Sequence, residues 1–442
     1  MSEEATLDEF VDEQEAGGNH SGDVSVGDLQ QFESSPIESW NLVRLGEILT
    51  LEYGDNLPSD SRESGTVPVF GSNGQVDTHS EAAVEKPGII LGRKGSIGEI
   101  DFSDRPFWPI DTTYYITSEE TSQNLRFLYY LLQNIQLERL NAASAIPGLN
   151  RNDAYGLKAL MPPAEEQRKI ASVLYTVDQA IQKSEEIIEQ TERVRRGTEQ
   201  DVLSRGVRED GTLRPDDDVA YRSSWVGDIP CDWDVKQYSK LISDSSVGIV
   251  VKPSQYYDDD GTVPILRSKD ISRDGIVDGD FEYMSEESNA ENENSRLQEG
   301  DVITVRSGDP GLSCVVDGEF DGANCADLLI STPGPKLDPH YAAMWINSFA
   351  GRKQIDRFQA GLAQKHFNLG ALRKLRVGVP SLDEQKRIVE KVSSISESLE
   401  SQRESKRQLQ RLKQGLMQDL LSGKVRTHDT DIEIVDDALQ HG

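Results

Sequence analysis

Apolar residues recur at alternating steps of four and three along two long stretches of the chain. In the first, the steps fall on Ile170, Leu174, Val177, Ile181, Ser184, Ile188, Thr191, Arg195, Thr198 and Val202. In the second they fall on Ile388, Val392, Ile395, Leu399, Gln402, Lys406, Leu409, Lys413, Leu416 and Leu420. This is a heptad seam, apolar at both ends and polar in the middle, and it predicts two long helices. Neither Pro nor Gly interrupts 164–196 or 381–414. Ser381 followed by Glu384 reads as a capping box at the start of the second helix. At about 1.5 Å per residue, roughly 40 residues make a rod of about 60 Å. A lone helix with so polar a surface is marginal in water. Each helix therefore needs a partner, and the other is the economical one, paired antiparallel about a pseudo-twofold axis.

The two stretches are copies of each other. Pro162 answers Pro380, Gln167 answers Gln385, Ile170 answers Ile388, Gly197 answers Gly415, Gln200 answers Gln418 and Ser204 answers Ser422, at a constant offset of 218. A gapless offset over some forty residues that includes a glycine marks an internal repeat.

Shorter patterns precede each helix. Ser39–Ile48 reads as a strand or turn entering a helix, Thr66–Gly74 as a strand ending in a Gly-rich turn, and Pro87–Gly98 as a buried strand followed by a basic turn. Phe107–Ile116 reads as one further strand, Leu125–Leu140 as a helix, Ile146–Arg151 as a loop and Leu157–Met161 as a last strand. The second half restarts the programme: Ile229–Val235 answers the Trp40 segment, Thr262–Ile271 answers Thr66–Phe70, Glu299–Gly311 answers Lys86–Gly98, and Gln364–Leu369 answers Ile146–Arg151. The expected division is a disordered acidic extension (1–37), a globular unit (38–161), the first helix (162–205), a charged linker (206–224), a second globular unit (225–379), the second helix (380–423) and an acidic tail (424–442). The fold class is α+β.

Composition adds constraints. The net charge is −32, and the first 37 residues carry ten acidic side chains and no Lys or Arg. Because acidic residues are spread along the whole chain, the charge favours adaptation to a very salty cytoplasm, where carboxylates keep a surface hydrated. In such a medium counterion release contributes little, so acidity does not exclude DNA binding. No run of 18 apolar residues predicts a membrane span. The N-terminus lacks a basic-then-apolar signal pattern, and a cytoplasmic location is expected. Cys231, Cys314 and Cys325 offer no close ligand pair.

Catalytic signatures are missing. Gly92-Arg93-Lys94-Gly95-Ser96 has the composition of a phosphate loop but the wrong order. Its Arg, Lys, Ser and free backbone N–H groups can still hold a DNA phosphate or reach a base edge. The matched turn Arg306-Ser307-Gly308-Asp309 keeps one Arg and changes the rest, as two readers of different half-sites would. Glu384-Gln385-Lys386 fits a nuclease E-x-K, but its mirror Glu166-Gln167-Arg168 also opens a helix, so capping and surface charge explain both. A cofactor loop with [DN]PP[FY], a Walker A with DExx, and a GxSxG elbow are all absent from the sequence.

Two variable units alternating with near-identical helices, Pro162-x-x-Glu165-Glu166-Gln167-Arg168-Lys169-Ile170 and Pro380-x-Leu382-Asp383-Glu384-Gln385-Lys386-Arg387-Ile388 at the helix starts, and Ile229-Pro230-x-x-Trp233 opening the second half resemble the DNA specificity subunit of type I restriction–modification systems. The resemblance covers roughly 38–423. The run Pro106–Tyr115 is also of that type, whereas the second unit has Gly322–Asp327 instead. It implies two target recognition domains, each reading one half of a split double-stranded DNA site in the major groove. It implies that the paired helices fix the spacer and dock two methyltransferase subunits and, through them, restriction subunits. The chain itself would catalyse nothing and bind no cofactor or metal. S-adenosylmethionine, Mg and ATP would belong to partner subunits.

On this reading the DNA-contacting candidates are Ser72, Asn73, Gln75, Arg93, Lys94, Ser96, Asn150 and Arg151 in the first unit. In the second they are Arg267, Ser268, Lys269, Arg306, Ser307, Lys365, His366 and Asn368. Glu166, Gln167, Arg168, Ile170, Glu384, Gln385, Arg387 and Ile388 are the partner-binding candidates. The alternatives are a coiled-coil scaffold with two protein-binding modules and no DNA role, and a fused enzyme with an unrecognised active site.

Overall fold

The computed structural model describes 34–428 except 136, 139, 141–147, 225, 278 and 360–365, and beyond these 430, 432 and 434–435. The chain forms two compact units, 1–185 with 405–442, and 186–404. The division falls inside both long helices, so each unit holds one half of each.

Unit 1 runs β1 (Asn41–Arg44), α1 (Leu45–Ile48), β2 (Glu52–Tyr53), β3 (Val67–Gly71), β4 (Gly74–His79), β5 (Gly88–Gly92), β6 (Ile100–Ser103), β7 (Trp108–Pro109), β8 (Thr113–Thr117), α2 (Leu125–Ile135), α3 (Arg151–Gly156) and β9 (Lys158–Met161) into α4 (Ala164–Arg205). Its sheets are β2-β8-β5-β6, β4-β3-β7 and the pair β1-β9. β5 is buried along its whole length, as the continuous apolar run Ile89-Ile90-Leu91 requires. The expected strand Phe107–Ile116 is two strands. β7 pairs parallel with β3, and β8 pairs antiparallel with β5. Between them a turn closes through Thr113 N and Oγ1 donating to Ile110 O at 2.9 and 2.7 Å. The turn carries the chain from one sheet to the other. The helix expected to reach Leu140 ends at Ile135.

Unit 2 contains β10 (Tyr221–Ser224), β11 (Gly227–Pro230), β12 (Asp234–Gln237), β13 (Ile242–Val247), β14 (Val263–Leu266), β15 (Ile271–Ser272), β16 (Gly275–Ile276), β17 (Glu282–Met284), α5 (Glu286–Glu291), β18 (Val302–Val305), β19 (Ser313–Val315), β20 (Asn324–Cys325), β21 (Leu328–Pro333), α6 (Pro339–Asn347), α7 (Phe349–Gln359), α8 (Leu369–Lys374) and β22 (Arg376–Val379), then α9 (Leu382–Leu421). Its sheets β13-β21-β18-β19, β17-β14-β20 and β12-β22 repeat those of unit 1 strand for strand. The same parallel pair recurs, β14 with β20. Two hairpins, β10-β11 and β15-β16, are additional.

Within each unit the two helix halves lie antiparallel. In unit 1, Ile170, Ala171 and Leu174 share a core with Leu420 and Leu421. Lys413 Nζ meets Asp178 Oδ1 at 2.7 Å and Lys406 Nζ meets Glu185 Oε1 at 2.9 Å. In unit 2, Val202 and Leu203 pack with Ile388 and Val392, and Arg403 Nη2 meets Glu192 Oε1 at 2.9 Å. Every seam position predicted from the four-three spacing is buried or half-buried. Ion pairs thus flank the polar middle of the seam.

The segment 206–224 is not a free connector. Val207 bridges to Leu213, and 221–224 form β10. The buried Glu384 carboxylate draws the segment in, accepting from Val207 N at 3.0 Å and from Arg214 Nη2 at 2.7 Å on each oxygen. The acidic extension up to residue 33 lies outside the described residues.

Candidate nucleic-acid interface

Three loops of unit 1 meet at one end of its sheets. The turn after β5 closes on itself, with Gly92 N donating to Glu99 O at 2.8 Å and Gly98 N to Gly92 O at 2.9 Å. Gly98 takes φ +80°, and a Cβ there would lie 2.6 Å from Glu138 N, so glycine is required by backbone angle and by space. The hairpin turn Ser72–Asn73 joins β3 to β4 and packs on this loop. A Cβ on Gly92 would come within 2.7 Å of Ser72 O, and one on Gly95 within 3.1 Å of Ser72 Oγ. The third loop is tied by Leu149 N donating to Arg93 O at 2.9 Å. Asn150 then caps α3, its Oδ1 accepting from Asn152 N at 2.9 Å.

Ser72, Arg93, Lys94, Ser96, Asn150 and Arg151 are therefore brought together. Asn73 is exposed on the same turn. Gln75 lies along β4, its Nε2 donating to Asp77 O at 3.2 Å. Arg93 N and Lys94 N both donate to Thr112 O at 2.9 and 3.1 Å, and Arg93 Nη2 donates to Asp111 O at 2.6 Å. Arg151 Nη1 donates to Leu51 O at 3.2 Å. Both guanidiniums stand 5.2 Å from the ring centroid of Tyr53, a half-exposed aromatic that the sequence reading passed over. The Tyr53 ring stands 5.0 Å from that of Tyr114. Burial and the Tyr53 hydroxyl push the Tyr114 phenol up to about 12.

Unit 2 repeats the backbone frame. Val305 N donates to Leu312 O at 2.8 Å, Gly311 N to Val305 O at 2.9 Å, and Phe367 N to Arg306 O at 3.0 Å. Asn368 caps α8 through Ala371 N at 2.9 Å. The side chains differ. Arg306 Nη1 pairs with Asp327 Oδ1 at 3.0 Å, and Ser307 Oγ lies 2.8 Å from His366 Nδ1. Lys365 lies outside the described residues.

Arg267 and Lys269 turn back onto their own unit. Arg267 Nη1 meets Glu282 Oε1 at 2.8 Å and Nη2 donates to Asp280 O at 3.1 Å, while Lys269 Nζ donates to Asp280 O at 2.9 Å. Burial works against the Arg267 charge, yet the Glu282 carboxylate and neighbouring groups hold its ionisation above the ordinary value. Both side chains brace the 280–282 segment instead of projecting from the unit. Ser268 is half-buried in the turn between them.

Six of the eight partner-binding candidates lie buried within their own units. Glu166 and Glu384 are 2% and 4% exposed, and Gln167, Gln385, Ile170 and Ile388 are also buried. Gln167 accepts from Asn124 N at 3.1 Å and donates to Gln123 Oε1 and Pro162 O. Gln385 does the same with Asp338 N at 2.9 Å and with Lys336 O and Pro380 O. Glu166 accepts from Trp40 Nε1 and Thr427 N. Arg168 is exposed and Arg387 half-buried.

Burial alone would raise the Glu166 carboxyl. Arg426, Trp40 and Thr427 N–H together hold it below the usual carboxylate range. For Glu384 burial prevails over Val207 N–H and Arg214, and its carboxyl sits above that range.

Residues 37–193 and 251–411 match the type I restriction modification DNA specificity domain. The chain is similar to the MjaVIII type I restriction enzyme specificity subunit of Methanocaldococcus jannaschii, 22% identical over 408 residues, covering 88% of this chain and 93% of the relative. It is likewise similar to the EcoDI type I restriction enzyme specificity subunit of Escherichia coli, 22% identical over 389 residues, covering 82% and 83%. A crystal structure of a type I restriction–modification S subunit from M. genitalium superposes with a TM-score of 0.58 at 14% identity, covering 89% of this chain and 98% of that one. A structure from work on assembly of a type I restriction–modification system gives 0.52 at 15%, covering 89% and 100%. At these identities the structural likeness concerns the fold.

Proposed function

The chain belongs to the type I restriction–modification DNA specificity family, and we propose that it is the sequence-reading, non-catalytic subunit of a DNA methyltransferase and restriction complex. Each unit reads one half of a bipartite site in double-stranded DNA. The long helices set the spacer between the halves, and the exposed surfaces around their starts dock methyltransferase subunits. Restriction subunits join through these where they are present. S-adenosylmethionine, Mg and ATP are carried by the partners, and the complex works in the cytoplasm on chromosomal and incoming DNA.

The observation that carries the reading is the loop frame shared by the two units. The same backbone hydrogen bonds, Leu149 N to Arg93 O and Phe367 N to Arg306 O, bring a strand-end arginine beside a helix-capping asparagine in each. The side chains hung on that frame differ. A common scaffold with changed polar tips is what two readers of unlike half-sites require, because phosphate contacts position a protein and base-edge contacts specify the sequence.

Single-molecule sequencing of genomic DNA with and without this gene tests the reading. Loss of methylation at one split motif, two short blocks around a fixed spacer, supports it. An unchanged methylome in cells with an active partner methyltransferase overturns it.

A further inference from the structure

The two units differ at one point of their shared frame that bears on the candidate interface. In unit 1, Tyr53 pairs across the sheet with Tyr114, which pairs with Leu91. In unit 2 the corresponding ladder is Val247 with Leu329 and Leu329 with Thr304. Tyr53 thus has Val247 as its counterpart, and Arg151 has Leu369. The strand-end arginine is also in a different electrostatic state. Arg306 is matched by the Asp327 carboxylate, whereas Arg93 donates to the neutral carbonyl of Asp111 and, among the described residues, meets no carboxylate.

We infer that Tyr53 is a positioning residue that holds Arg93 and Arg151 as an oriented pair for a guanine in the half-site read by unit 1. This rests on the proposed DNA-reading function and names the base chemistry of one of its two sites. The ring is 50% exposed, so it is not there to fill the core. Each guanidinium lies 5.2 Å from its centroid, within cation–π range. One N–H of each is committed to a backbone carbonyl, Arg93 to Asp111 O and Arg151 to Leu51 O. A second ring flanks each arginine, Tyr114 at 5.7 Å from Arg93 and Tyr155 at 6.0 Å from Arg151.

Such fixing has a consequence. A phosphate accepts a cation over a wide range of approach, so a mobile side chain serves it well. Bidentate recognition of guanine O6 and N7 needs a planar fork held in one orientation, with part of its rotamer entropy already lost before binding. Two arginines, each anchored at one N–H and each set against aromatic rings, meet that need. The chain's charge of −32 points the same way, since it is not built to gather phosphates by net attraction.

The test uses the full chain assembled with its methyltransferase subunits and selection of bound sequences from a random duplex library. Tyr53→Leu should relax one G·C position in a single half-site, with roughly 5- to 150-fold lower affinity for the parent sequence. The other half-site, unchanged, reports that the complex is folded. Tyr53→Phe should keep the parent motif, because the ring remains. Replacing the relevant guanine by 7-deazaguanine should weaken the wild type and add little to the loss in Arg93→Ala or Arg151→Ala, whichever reads it.

Three outcomes overturn the inference. Tyr53→Leu could retain the parent motif, or Tyr53→Phe could be as damaging as Tyr53→Leu, which would assign the role to the hydroxyl. Alternatively both arginine variants could weaken all sequences equally and lower the salt slope by about one, the signature of phosphate contacts. Absence of any sequence preference in the wild-type complex would instead remove the parent reading, and is recognised by both half-sites being blank.

Discussion

Arg426 lays its guanidinium along the carboxylate of Glu166, 260 residues earlier in the chain, with Nε 2.9 Å from Oε1 and Nη2 3.0 Å from Oε2. The contact binds the segment that leaves α9 to the first turn of α4. Unit 2 makes the same arrangement with its own residues, Arg214 on Glu384, tying the segment that leaves α4 to the first turn of α9. In each unit a buried carboxylate at a helix start therefore holds the exit of the helix beside it.

Glu166→Gln should destabilise unit 1. The substitution keeps the shape but removes the carboxylate charge that Arg426 meets. A fully buried pair that loses one partner costs roughly 3–5 kcal/mol. Arg426 is 22% exposed, so a loss on the order of 2 kcal/mol is expected after solvent screening. Denaturant unfolding monitored by the fluorescence of Trp40, which donates to the same carboxylate, checks it. A variant within a few tenths of a kcal/mol of wild type would show the contact to be ornamental.

The two carboxylates should respond to pH in opposite directions. The folded-state value of Glu166 lies below its ordinary 4.5, so its stabilisation is present above 4.5 and is lost as pH falls through the folded value. The folded-state value of Glu384 lies above 4.5, so ionising it costs stability as pH rises from 4.5 through that value. The cost of Glu166→Gln should therefore grow as pH rises across the carboxylate range, and the cost of Glu384→Gln should shrink. Unfolding curves at several pH values for both variants decide it, and parallel trends would contradict the assignment.

How much of this was legible in the sequence depended on the reach of each contact. The helix seam was legible because burial at steps of four and three follows from helix geometry, and all twenty predicted positions are buried or half-buried. The capping box was half legible. Glu384 N does donate to Ser381 Oγ at 3.3 Å, but the carboxylate leaves the box for Arg214, 170 residues away. The same cause buries Glu166 and Gln167, whose polar character at a helix start suggests a surface until their distant partners are known. The break between β7 and β8 was hidden because Phe107–Ile116 is rich in aromatic and β-branched residues on both sides of Asp111-Thr112, and pairing with two different sheets separates it. Within the candidate interface, loop-placed arginines could be picked out, but Arg267 and Arg93 look alike in sequence. Glu282 on the paired strand β17 distinguishes the first, and Tyr53 on a neighbouring strand the second.

Gly98 and Gly311 close equivalent turns with φ of +80° and +93°, and alanine should be tolerated less well at the first. Both substitutions carry the left-handed strain of about 1–3 kcal/mol. At Gly98 the new methyl meets the backbone of Leu137 and Glu138, at 3.0 and 2.6 Å. At Gly311 it meets the tip of Ile355, at 2.4 Å from Cδ1, and that side chain can change rotamer. Gly98→Ala should lower Tm more than Gly311→Ala in paired thermal melts. Equal losses would mean that the backbone angle alone sets the cost.

Asp327→Asn should change DNA binding through Arg306 without disturbing the fold. Asp327 sits at φ +54°, a conformation that Asn adopts readily, so the backbone has no reason to move. Its carboxylate lies 3.0 Å from Arg306 Nη1 and neutralises it. With that charge removed, the guanidinium is available to a phosphate, and each phosphate neutralised steepens the dependence of log K on log salt by about 0.9. Fluorescence anisotropy of the assembled complex on its own duplex should show tighter binding at low salt and a slope steeper by about that amount. Sequence discrimination in the half-site of unit 2 should fall, because added backbone affinity favours all sequences alike. An unchanged slope would place Arg306 away from the DNA. The loop frame of unit 2 would then be a scaffold whose reading side chains are Ser307, His366 and Asn368.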